Sequence, residues 1–432
     1  MSQYAQMIRQ LKTPEVMKRL NTLYGQREGM MVAQTTRYTA LLKRHEDLFN
    51  TSGPVYMISA PGRTEISGNH TDHNRGKVLT AAVNLDTVAA VSPREDGVVN
   101  VHSEGYPAIS ISLDDLEARE DEKNTTAALI RGVAYKLQEE GYQIGGFDAA
   151  ITSTVRGGSG LSSSAAFEVM LCAIFDELYN HGTLEYKHRA KISQFAENVY
   201  FGKPCGLMDQ MASSTGGLAY IDFQNEDPQV KPMNYDFSKK GYSLVVVNTG
   251  GSHDDLTADY ASIPAEMKAV AKVFGQEVLR QVQPEQFFLS LPVVREKLDV
   301  PNADRAILRA AHFFDENRRV SDQVTALQED NLPEFLRLVI ESGRSSYCYL
   351  QNLFASAQHQ ELCLAVMMAE RRLAGKGAWR VHGGGFAGTT LNFVPTKELP
   401  SFVKEMESVF GQHCCNVLDI RPEGPACIKL GK

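Results

Sequence analysis

The sequence lacks the cysteine pairs of a disulfide framework or of a zinc finger. Its seven cysteines are scattered, no Cys-x-x-Cys pair occurs, and an odd number leaves at least one thiol unpaired. No run reaches about 18 consecutive apolar residues, which a membrane-spanning helix would need. The first twenty residues mix charged and apolar side chains and lack the apolar core of a signal peptide. These absences predict a cytoplasmic protein with no membrane partner.

A surplus of basic residues is also missing. The chain has 44 Lys and Arg residues against 52 Asp and Glu residues, a formal net charge of −8. A general nucleic-acid binder needs basic residues to neutralise phosphates, so we expect no nucleic-acid partner, although a local basic pocket for a small anion is compatible with this charge. The Walker A Lys-Ser/Thr pair and the His-Arg-Asp and Asp-Phe-Gly signatures of protein kinases do not occur either.

What the sequence does contain predicts a two-domain α+β protein. The 432 residues, 43% hydrophobic and 22% charged, are ordinary for a soluble chain with a substantial core. Helical spacing fills the first fifty residues, and short β-type runs separated by Gly, Pro, Asn and Asp begin near Val55. Strands and helices then mix without strict βαβ alternation. We predict a helical extension over 1–50 and two domains over 51–240 and 241–432.

A glycine- and serine-rich loop, RGGSGLSSSAAFEV (156–169), follows one predicted strand and opens a predicted helix. Glycines let backbone N–H groups approach a ligand closely, and the first turn of a helix offers unpaired N–H donors to an anion. A flexible turn with a serine N-cap would give the same pattern. As a cradle for an anion, the loop predicts phosphate contacts from Gly157, Gly158, Ser159, Gly160, Leu161, Ser162, Ser163, Ser164 and Ala165.

A second unusual segment, GNHTDHNRG (68–76), brings His70, Asp72 and His73 together. These residue types bind zinc, and they also hydrogen-bond to sugar hydroxyls. Two imidazoles three residues apart share a face only in a helix, and the Gly and Asn residues favour a loop. No further His/Cys pair stands out as completing a zinc site, so zinc stays the less favoured alternative.

Four motifs in a fixed order resemble those of the galactokinase family. APGRTEISGNHTDHNRGKVL is similar to the galactokinase signature Gly-Arg-Val-Asn-Leu-Ile-Gly-Glu-His-Thr-Asp-Tyr-Asn-x-Gly, and CGLMDQMASSTGG to its Gly-Ile-Met-Asp-Gln-Phe segment. GGSGLSSSA and HGGGFAGTTLNFVP resemble the second and third motifs of the superfamily that joins galactokinase with homoserine, mevalonate and phosphomevalonate kinases (GHMP kinases). Together the motifs span residues 60 to 395.

This resemblance implies a fold, an activity and cofactors. The fold would combine an N-terminal domain like ribosomal protein S5 with a ferredoxin-like C-terminal domain. The activity would be phosphoryl transfer from ATP to the anomeric hydroxyl of galactose, which depends on positioning and charge neutralisation. Asp209 falls on the family's catalytic aspartate and Arg63 on the arginine that contacts it. Ser164 and Glu197 match the residues that reach Mg²⁺, an ion that prefers oxygen ligands.

The sugar site implied by the resemblance lies mainly in the first motif. Its predicted substrate-binding residues are Asn69, His70, Asp72, His73, Glu65, Gly206 and Tyr260. The glycines of the third motif are expected to pack near the phosphates. As partners we expect only the sugar and ATP, and we expect a monomer or a weak homo-oligomer.

The first motif also departs from the family. Asn69 stands where the signature has glutamate, Glu65 where it has asparagine, and His73 where it has tyrosine; Arg156 replaces a proline of the second motif. The glutamate at position 69 contacts the C6 hydroxyl of the sugar in the family, and a neutral amide there would no longer repel a C6 carboxylate. Galacturonate or another C6-modified hexose is therefore an alternative substrate. A non-catalytic sugar sensor is a further alternative, which the intact Ser164-Ala165 pair disfavours.

Overall fold

The computed structural model describes residues 2–155, 157, 160–250, 257–354, 358–386 and 388–430. Its strands are β1 (Tyr56–Ser67), β2 (Lys77–Pro93), β3 (Val98–Ser103), β4 (Ile109–Ser112), β5 (Phe147–Ser153), β6 (Leu218–Asp222), β7 (Gln229–Met233), β8 (Tyr242–Asn248), β9 (Ala378–His382), β10 (Thr389–Pro395), β11 (Cys415–Leu418) and β12 (Ala426–Ile428).

The helices lie before, between and after these strands. They are α1 (Gln3–Gln10), α2 (Pro14–Tyr24), α3 (Met30–Phe49), α4 (Thr126–Glu139), α5 (Ser163–Tyr179), α6 (Tyr186–Phe195), α7 (Met208–Thr215), α8 (Thr257–Val273), α9 (Pro284–Leu289), α10 (Leu291–Lys297), α11 (Ala303–Gln328), α12 (Leu332–Ser345), α13 (Glu361–Leu373) and α14 (Leu399–Phe410). π-Helical turns over Ala196–Phe201 and Ser346–Leu350 continue α6 and α12. None of the described helices is long and apolar enough to span a membrane.

Two sheets organise the chain. The larger has the order β12–β1–β2–β5–β3–β4, with β6 paired to β2 and β7 to β6; the β3–β5 pair is parallel and the other pairs are antiparallel. The smaller sheet is antiparallel with the order β11–β8–β10–β9. This combination of helices with one mixed and one antiparallel sheet agrees with the predicted α+β class.

The central strands β1 and β2 of the larger sheet are covered on both faces, so nearly all of their residues are buried. Successive residues of β1 face opposite sides. Ile58 packs with the cluster that includes α4 and α5, whereas Met57 packs with Leu20, Tyr38 and other side chains of α1–α3. The N-terminal helices therefore form one layer of this domain and do not stand apart from it.

A buried carboxylate ties these helices to the sheet. Asp86 on β2 accepts hydrogen bonds from Tyr24 Oη at 2.5 Å and Arg37 Nη1 at 2.6 Å, and also from Ser59 Oγ. Arg421, in the segment before β12, lies 3.3 Å from the same carboxylate. Burial alone would raise the pKa of Asp86, but the two guanidinium groups more than offset this and hold the pKa below its usual value.

The strands and helices predicted from the sequence motifs are present, and three short strands were not predicted. β7 (QVKPM) and β11 (CNVL) are only five and four residues long, and β12 (ACI) has three. Such short segments carry too little alternation to be recognised. Because β12 pairs with β1, the end of the chain returns to the first sheet; the boundaries at 50 and 240 stay predictions.

Candidate active site

One cavity collects the residues that the sequence predicted for catalysis and sugar binding. It is lined by Arg63, Glu65, Asn69, His70, Asp72, His73, Cys205, Gly206, Met208, Asp209, Tyr260, Gly383 and Gly384. All nine predicted catalytic and substrate-binding residues belong to this lining. They come from β1, the loop after it, the start of α7, α8 and the loop after β9.

Irregularities in β1 place two of these side chains. The pairing of β1 with β2 shifts register between Pro61 and Arg63 and again between Glu65 and Ser67. Such bulges re-aim side chains and increase the local twist. Arg63 and Glu65, which lie between the two shifts, both reach the cavity.

Arg63 and Asp209 form an ion pair at the bottom of the site. Arg63 Nε donates to Asp209 Oδ1 at 2.7 Å, and its Nη1 donates to the carbonyl oxygen of Gly160 at 2.6 Å. Ser162 Oγ donates to the second carboxylate oxygen of Asp209. Burial by itself would raise the pKa of Asp209, but Arg63 and Ser162 outweigh it, so the pKa lies below its usual value. Asp209 is therefore ionised at neutral pH and fixed through both oxygens.

The contact with Ser162 has a second effect, on the glycine loop. Ser162 precedes α5 in a left-handed conformation (φ 57°), and its side chain does not cap the helix because its hydroxyl is engaged with Asp209. The first N–H groups of α5 consequently receive no N-cap side chain, which leaves them available to an anion. Of the predicted ATP residues, Gly157 and 160–165 are described, and Gly158 and Ser159 lie outside the described residues, as does Arg156.

Gly160 lets this loop approach the third motif. Its φ is 70°, and a Cβ there would lie 2.2 Å from Thr389 Oγ1 and 2.9 Å from His382 Nδ1. No other residue type fits this position without displacing those side chains. The glycine loop and the β9–β10 loop therefore form one continuous wall.

Ser164 and Glu197 meet near the start of α5, as a shared metal site would require. Ser164 Oγ donates to Glu197 Oε1 at 2.9 Å. Gln210 Nε2 donates to Glu197 Oε2 at 2.7 Å and to Glu168 Oε2 at 3.1 Å. Glu168 Oε1 is buried without a hydrogen-bond partner among the described residues. Hydroxyl and carboxyl oxygens are the ligands that Mg²⁺ prefers, so these residues fit the ion.

His70, which lines the cavity, has one ring nitrogen that is hydrogen-bonded and one that is not. Its Nε2 lies 2.9 Å from the carbonyl oxygen of Gly384, so Nε2 carries the proton and Nδ1 is the acceptor. His70 Nδ1 is buried and has no partner within the described part of the chain. Burial lowers the pKa of His70 to about 3, which keeps the imidazole neutral. A neutral acceptor of this kind suits a sugar hydroxyl.

The carboxylate of Asp72 packs against the Cα of Gly206. A Cβ on Gly206 would be 1.8 Å from Asp72 Oδ2, so the absence of a side chain at 206 makes room for the carboxylate. The backbone N–H of His73 donates to Asp72 Oδ1 at 3.0 Å. The His73 and Tyr260 rings stand edge to face at 6.4 Å, and the two form part of the cavity rim.

Glu65 and Asn69 are joined in a buried network. Asn69 Nδ2 donates to Glu65 Oε1 at 2.9 Å and to the Gly383 carbonyl oxygen at 2.7 Å. Arg380 Nη2 also donates to Glu65 Oε1, at 3.0 Å. Burial raises the pKa of Glu65 to about 7, and the guanidinium groups of Arg380 and Arg63 oppose that rise.

The zinc alternative finds no support in the part of the chain that the structure describes. No group of three or more His, Cys, Asp or Glu side chains there is arranged to hold a metal ion. His70 Nε2 is turned to a carbonyl oxygen, and His73 Nε2 is 4.0 Å from Asp72 Oδ1. The segment also forms a turn with a short 3₁₀ helix over Asp72–Asn74, as the Gly and Asn residues predicted.

Sequence reasoning missed several residues of the site. Cys205 and Met208 line the cavity; Glu168 and Gln210 surround the Ser164–Glu197 pair; and Arg380 holds Glu65. A signal existed for Glu168, which lies four residues after Ser164 and thus on the same face of α5. Arg380 sits in a strand far along the chain, and nothing in its local sequence links it to the first motif.

The fold defines the class of protein. The Lactococcus lactis galactokinase complexed with galactose matches with a TM-score of 0.78 at 24% identity, covering 90% of this chain and 99% of that chain. The Methanococcus jannaschii mevalonate kinase matches with a TM-score of 0.62 at 14% identity, covering 86% and 99%. The protein therefore has the fold of the GHMP kinases, as predicted.

The sequence comparisons define the family. The galactokinase galactose-binding signature matches residues 43–93, and the GHMP kinases N terminal domain matches residues 128–217. The galactokinase of Streptomyces coelicolor is 32% identical over 372 residues, covering 85% of this chain and 92% of that protein. That of Glaesserella parasuis is 31% identical over 357 residues, covering 80% and 87%. The chain belongs to the galactokinase family, which confirms the predicted class of sugar kinase.

Proposed function

We propose that the protein transfers the γ-phosphoryl group of ATP to the anomeric hydroxyl of galactose. The observation that carries this proposal is the cavity in which the ion-paired Asp209 faces the first-motif residues His70 and Asp72. The anion cradle at the start of α5 adjoins that cavity through the Ser162–Asp209 hydrogen bond. Sugar hydroxyl and phosphate are thereby brought to the two sides of one carboxylate.

The reaction depends on positioning and on neutralisation of charge. Asp209 is ionised and held through both oxygens, so it can orient the reacting hydroxyl and accept its proton as the new O–P bond forms. Arg63 stabilises negative charge at the transferring group with a planar set of donors. The uncapped N–H groups of α5 bind the phosphates, whose oxygens they meet at the positive end of the helix.

Ser164 and Glu197 would hold Mg²⁺ in this proposal. When bound, the ion would neutralise the β- and γ-phosphate oxygens of ATP. Support comes from the 2.9 Å contact between Ser164 Oγ and Glu197 Oε1 and from the unpartnered Glu168 Oε1 beside it. The surrounding carboxylates favour a cation at this point over any anion.

Galacturonate is the alternative substrate, and two features of the cavity support galactose over it. The alternative rested on a neutral amide at Asn69 that would no longer repel a C6 carboxylate, yet this amide is bonded to the carboxyl group of Glu65 and to Gly383. The cavity also keeps the carboxylates of Glu65 and Asp72, which disfavour an anionic sugar. A non-catalytic sugar sensor is disfavoured because Ser164, Asp209 and Arg63 are all in place.

A coupled ADP-release assay with galactose, galacturonate, glucose, glucuronate and N-acetylgalactosamine tests the proposal. We expect galactose to give the highest kcat/KM and ADP release to require Mg²⁺. Turnover of galacturonate well above that of galactose would overturn the choice of substrate. Binding of ATP and a hexose without ADP release would favour the sensor.

The cellular setting is part of the same proposal. All seven cysteines are free thiols in the structure, as in a protein of the reducing cytoplasm. Galactose and ATP are the partners that the site requires.

A further inference from the structure

Positions 65 and 69 differ from the galactokinase signature in a reciprocal way. The signature has asparagine at the place of Glu65 and glutamate at the place of Asn69. In this protein the two side chains touch, with Asn69 Nδ2 2.9 Å from Glu65 Oε1. The pair therefore contains one carboxylate and one amide in either arrangement. The carboxyl group has therefore not been lost from the cavity; it has moved from position 69 to the side chain that contacts position 69.

The Asn69 side chain is fully used by the protein. Its Nδ2 donates to Glu65 and to the Gly383 carbonyl oxygen, and its Oδ1 accepts from Asn352 Nδ2 at 2.7 Å and Ser346 Oγ at 3.3 Å. An amide has two donors and two acceptor lone pairs, so all four are occupied. A sugar could contact this side chain only by replacing one of these bonds.

Only one of the two carboxyl oxygens of Glu65 has a hydrogen-bond partner among the described residues. Among the described residues, its hydrogen-bond partners Asn69 and Arg380 both contact Oε1, and none contacts Oε2. Glu65 also belongs to the cavity lining. Its second oxygen is therefore the acceptor that this pair offers to a ligand.

Arg380 explains why the carboxylate is held at position 65. Its guanidinium is completely buried, and it also donates to the carbonyl oxygens of Ile66 and Val381. These bonds fix the cation beneath Glu65, whereas position 69 faces the neutral side chains of Asn352 and Ser346. A buried carboxylate needs such a counter-charge, and of the two positions it is 65 that has one among the described residues.

We propose that Glu65 replaces the signature glutamate as the specificity-determining acceptor for an exocyclic sugar hydroxyl, with Asn69 as its positioning partner. The inference rests on the proposed function and sharpens it, since it assigns the site to hexoses with a neutral C6 hydroxyl. A sugar carboxylate at this place would meet a second carboxylate. A sugar lacking the hydroxyl would leave Glu65 without its partner.

The test compares Glu65→Gln, Glu65→Asn, Asn69→Glu and the double exchange Glu65→Asn/Asn69→Glu with the wild-type protein. Calorimetric binding of galactose, 6-deoxygalactose and galacturonate is measured without ATP, and kcat/KM is measured with it. Glu334→Gln, which removes an exposed carboxylate on α12, is the matched control. We expect wild-type protein to prefer galactose over 6-deoxygalactose by at least about 10-fold, because a hydrogen bond to a charged group carries that much discrimination.

In Glu65→Gln we expect this preference to shrink by about 10-fold while binding of 6-deoxygalactose changes little. Asn69→Glu places two carboxylates in contact and should lose galactose binding or fold poorly. The double exchange should recover more galactose affinity than the single effects add up to, since the two positions are coupled.

An unchanged preference in Glu65→Gln would overturn the role of Glu65. If the galactose affinity of the double exchange equalled the sum of the two single effects, the proposal that positions 65 and 69 act as a coupled pair would be wrong. Failure of the proposed function would be observed separately, because wild-type protein would then release no ADP with any neutral hexose. The preference measured in the binding experiment would still decide the role of Glu65.

Discussion

Arg63 Nε lies 2.7 Å from Asp209 Oδ1, and this contact joins the first strand of the larger sheet to the start of α7. The same guanidinium reaches the Gly160 carbonyl oxygen, so a single side chain connects three of the four sequence motifs. The catalytic geometry consequently depends on the sheet register as much as on the loops.

The Asp209–Arg63 pair predicts that a substitution of Asp209 lowers kcat without loss of sugar binding. Asp209→Asn keeps the shape of the side chain but removes the proton acceptor, so we expect kcat to fall by about 10²–10⁴-fold. Galactose affinity, measured by calorimetry, should change by less than about 5-fold, because the asparagine still fills the cavity wall. A variant that lost binding and turnover equally would place Asp209 in substrate recognition instead.

The Ser164–Glu197 contact predicts a specific change in metal dependence. Ser164→Ala and Glu197→Gln each remove one oxygen ligand, and we expect the Mg²⁺ concentration for half-maximal rate to rise by about 10-fold or more. The measurement is a Mg²⁺ titration at saturating sugar and ATP. Ser408→Ala, on the exposed face of α14, serves as the control. Equal Mg²⁺ curves for all variants would remove these residues from the metal site.

The close approach of Gly206 to Asp72 predicts that a single methyl group is enough to disturb the sugar site. In Gly206→Ala the new Cβ would overlap Asp72 Oδ2 at 1.8 Å, so the carboxylate must move. We expect galactose affinity to fall by about 10-fold or more with a small change in melting temperature, since loop and side chain can shift without unfolding the core. Gly53→Ala, whose Cβ meets Thr51 Oγ1 at an ordinary 3.4 Å, is the matched control. Normal binding in Gly206→Ala would mean that Asp72 does not contact the sugar.

The network around Asp86 predicts a pH-dependent contribution to stability. The pKa of Asp86 is held below its unfolded value of 3.8, so its stabilising effect is complete above that pH and is lost as pH falls through the lower folded value. Asp86→Asn leaves Arg37 and Arg421 without their anion, and we expect the free energy of unfolding at pH 7 to drop by about 3–5 kcal/mol. Urea denaturation at pH 7 and at stepwise lower pH measures this.

The difference from wild type should narrow as pH falls below about 3.8, because the wild-type carboxyl becomes neutral as well. Asp47→Asn, at an exposed position on α3, is the control for the loss of one carboxylate. A constant difference at every pH would show that the network acts through packing rather than through charge.

The long elements and the motif residues could be predicted because each carries a local signal. The helix α5 follows from apolar spacing after SSSAA, and the strands β1 and β2 follow from apolar runs bounded by turn residues. The gathering of Arg63, Asp72 and Asp209 was accessible only through the resemblance, since these residues are up to 146 positions apart in sequence.

The parts that escaped prediction depend on long-range contacts. Nothing near Asn69 reveals that Asn352, 283 residues later, satisfies its carbonyl oxygen, and that contact decides whether its amide is available to a sugar. The Arg380–Glu65 pair, 315 residues apart, is of the same kind. From the sequence, each departure from the signature could only be interpreted by itself. In the structure the side chains of Glu65 and Asn69 touch, so their two departures are coupled.

The pairing of β12 with β1 has a consequence for the order of events during synthesis. The larger sheet begins with β1 near residue 56 but receives its outermost strand only from residues 426–428. Arg421, one of the two cations on Asp86, arrives equally late. During synthesis, β1 therefore lacks its β12 partner until residues 426–428 have emerged from the ribosome, and Asp86 lacks its second cation until residue 421 has emerged.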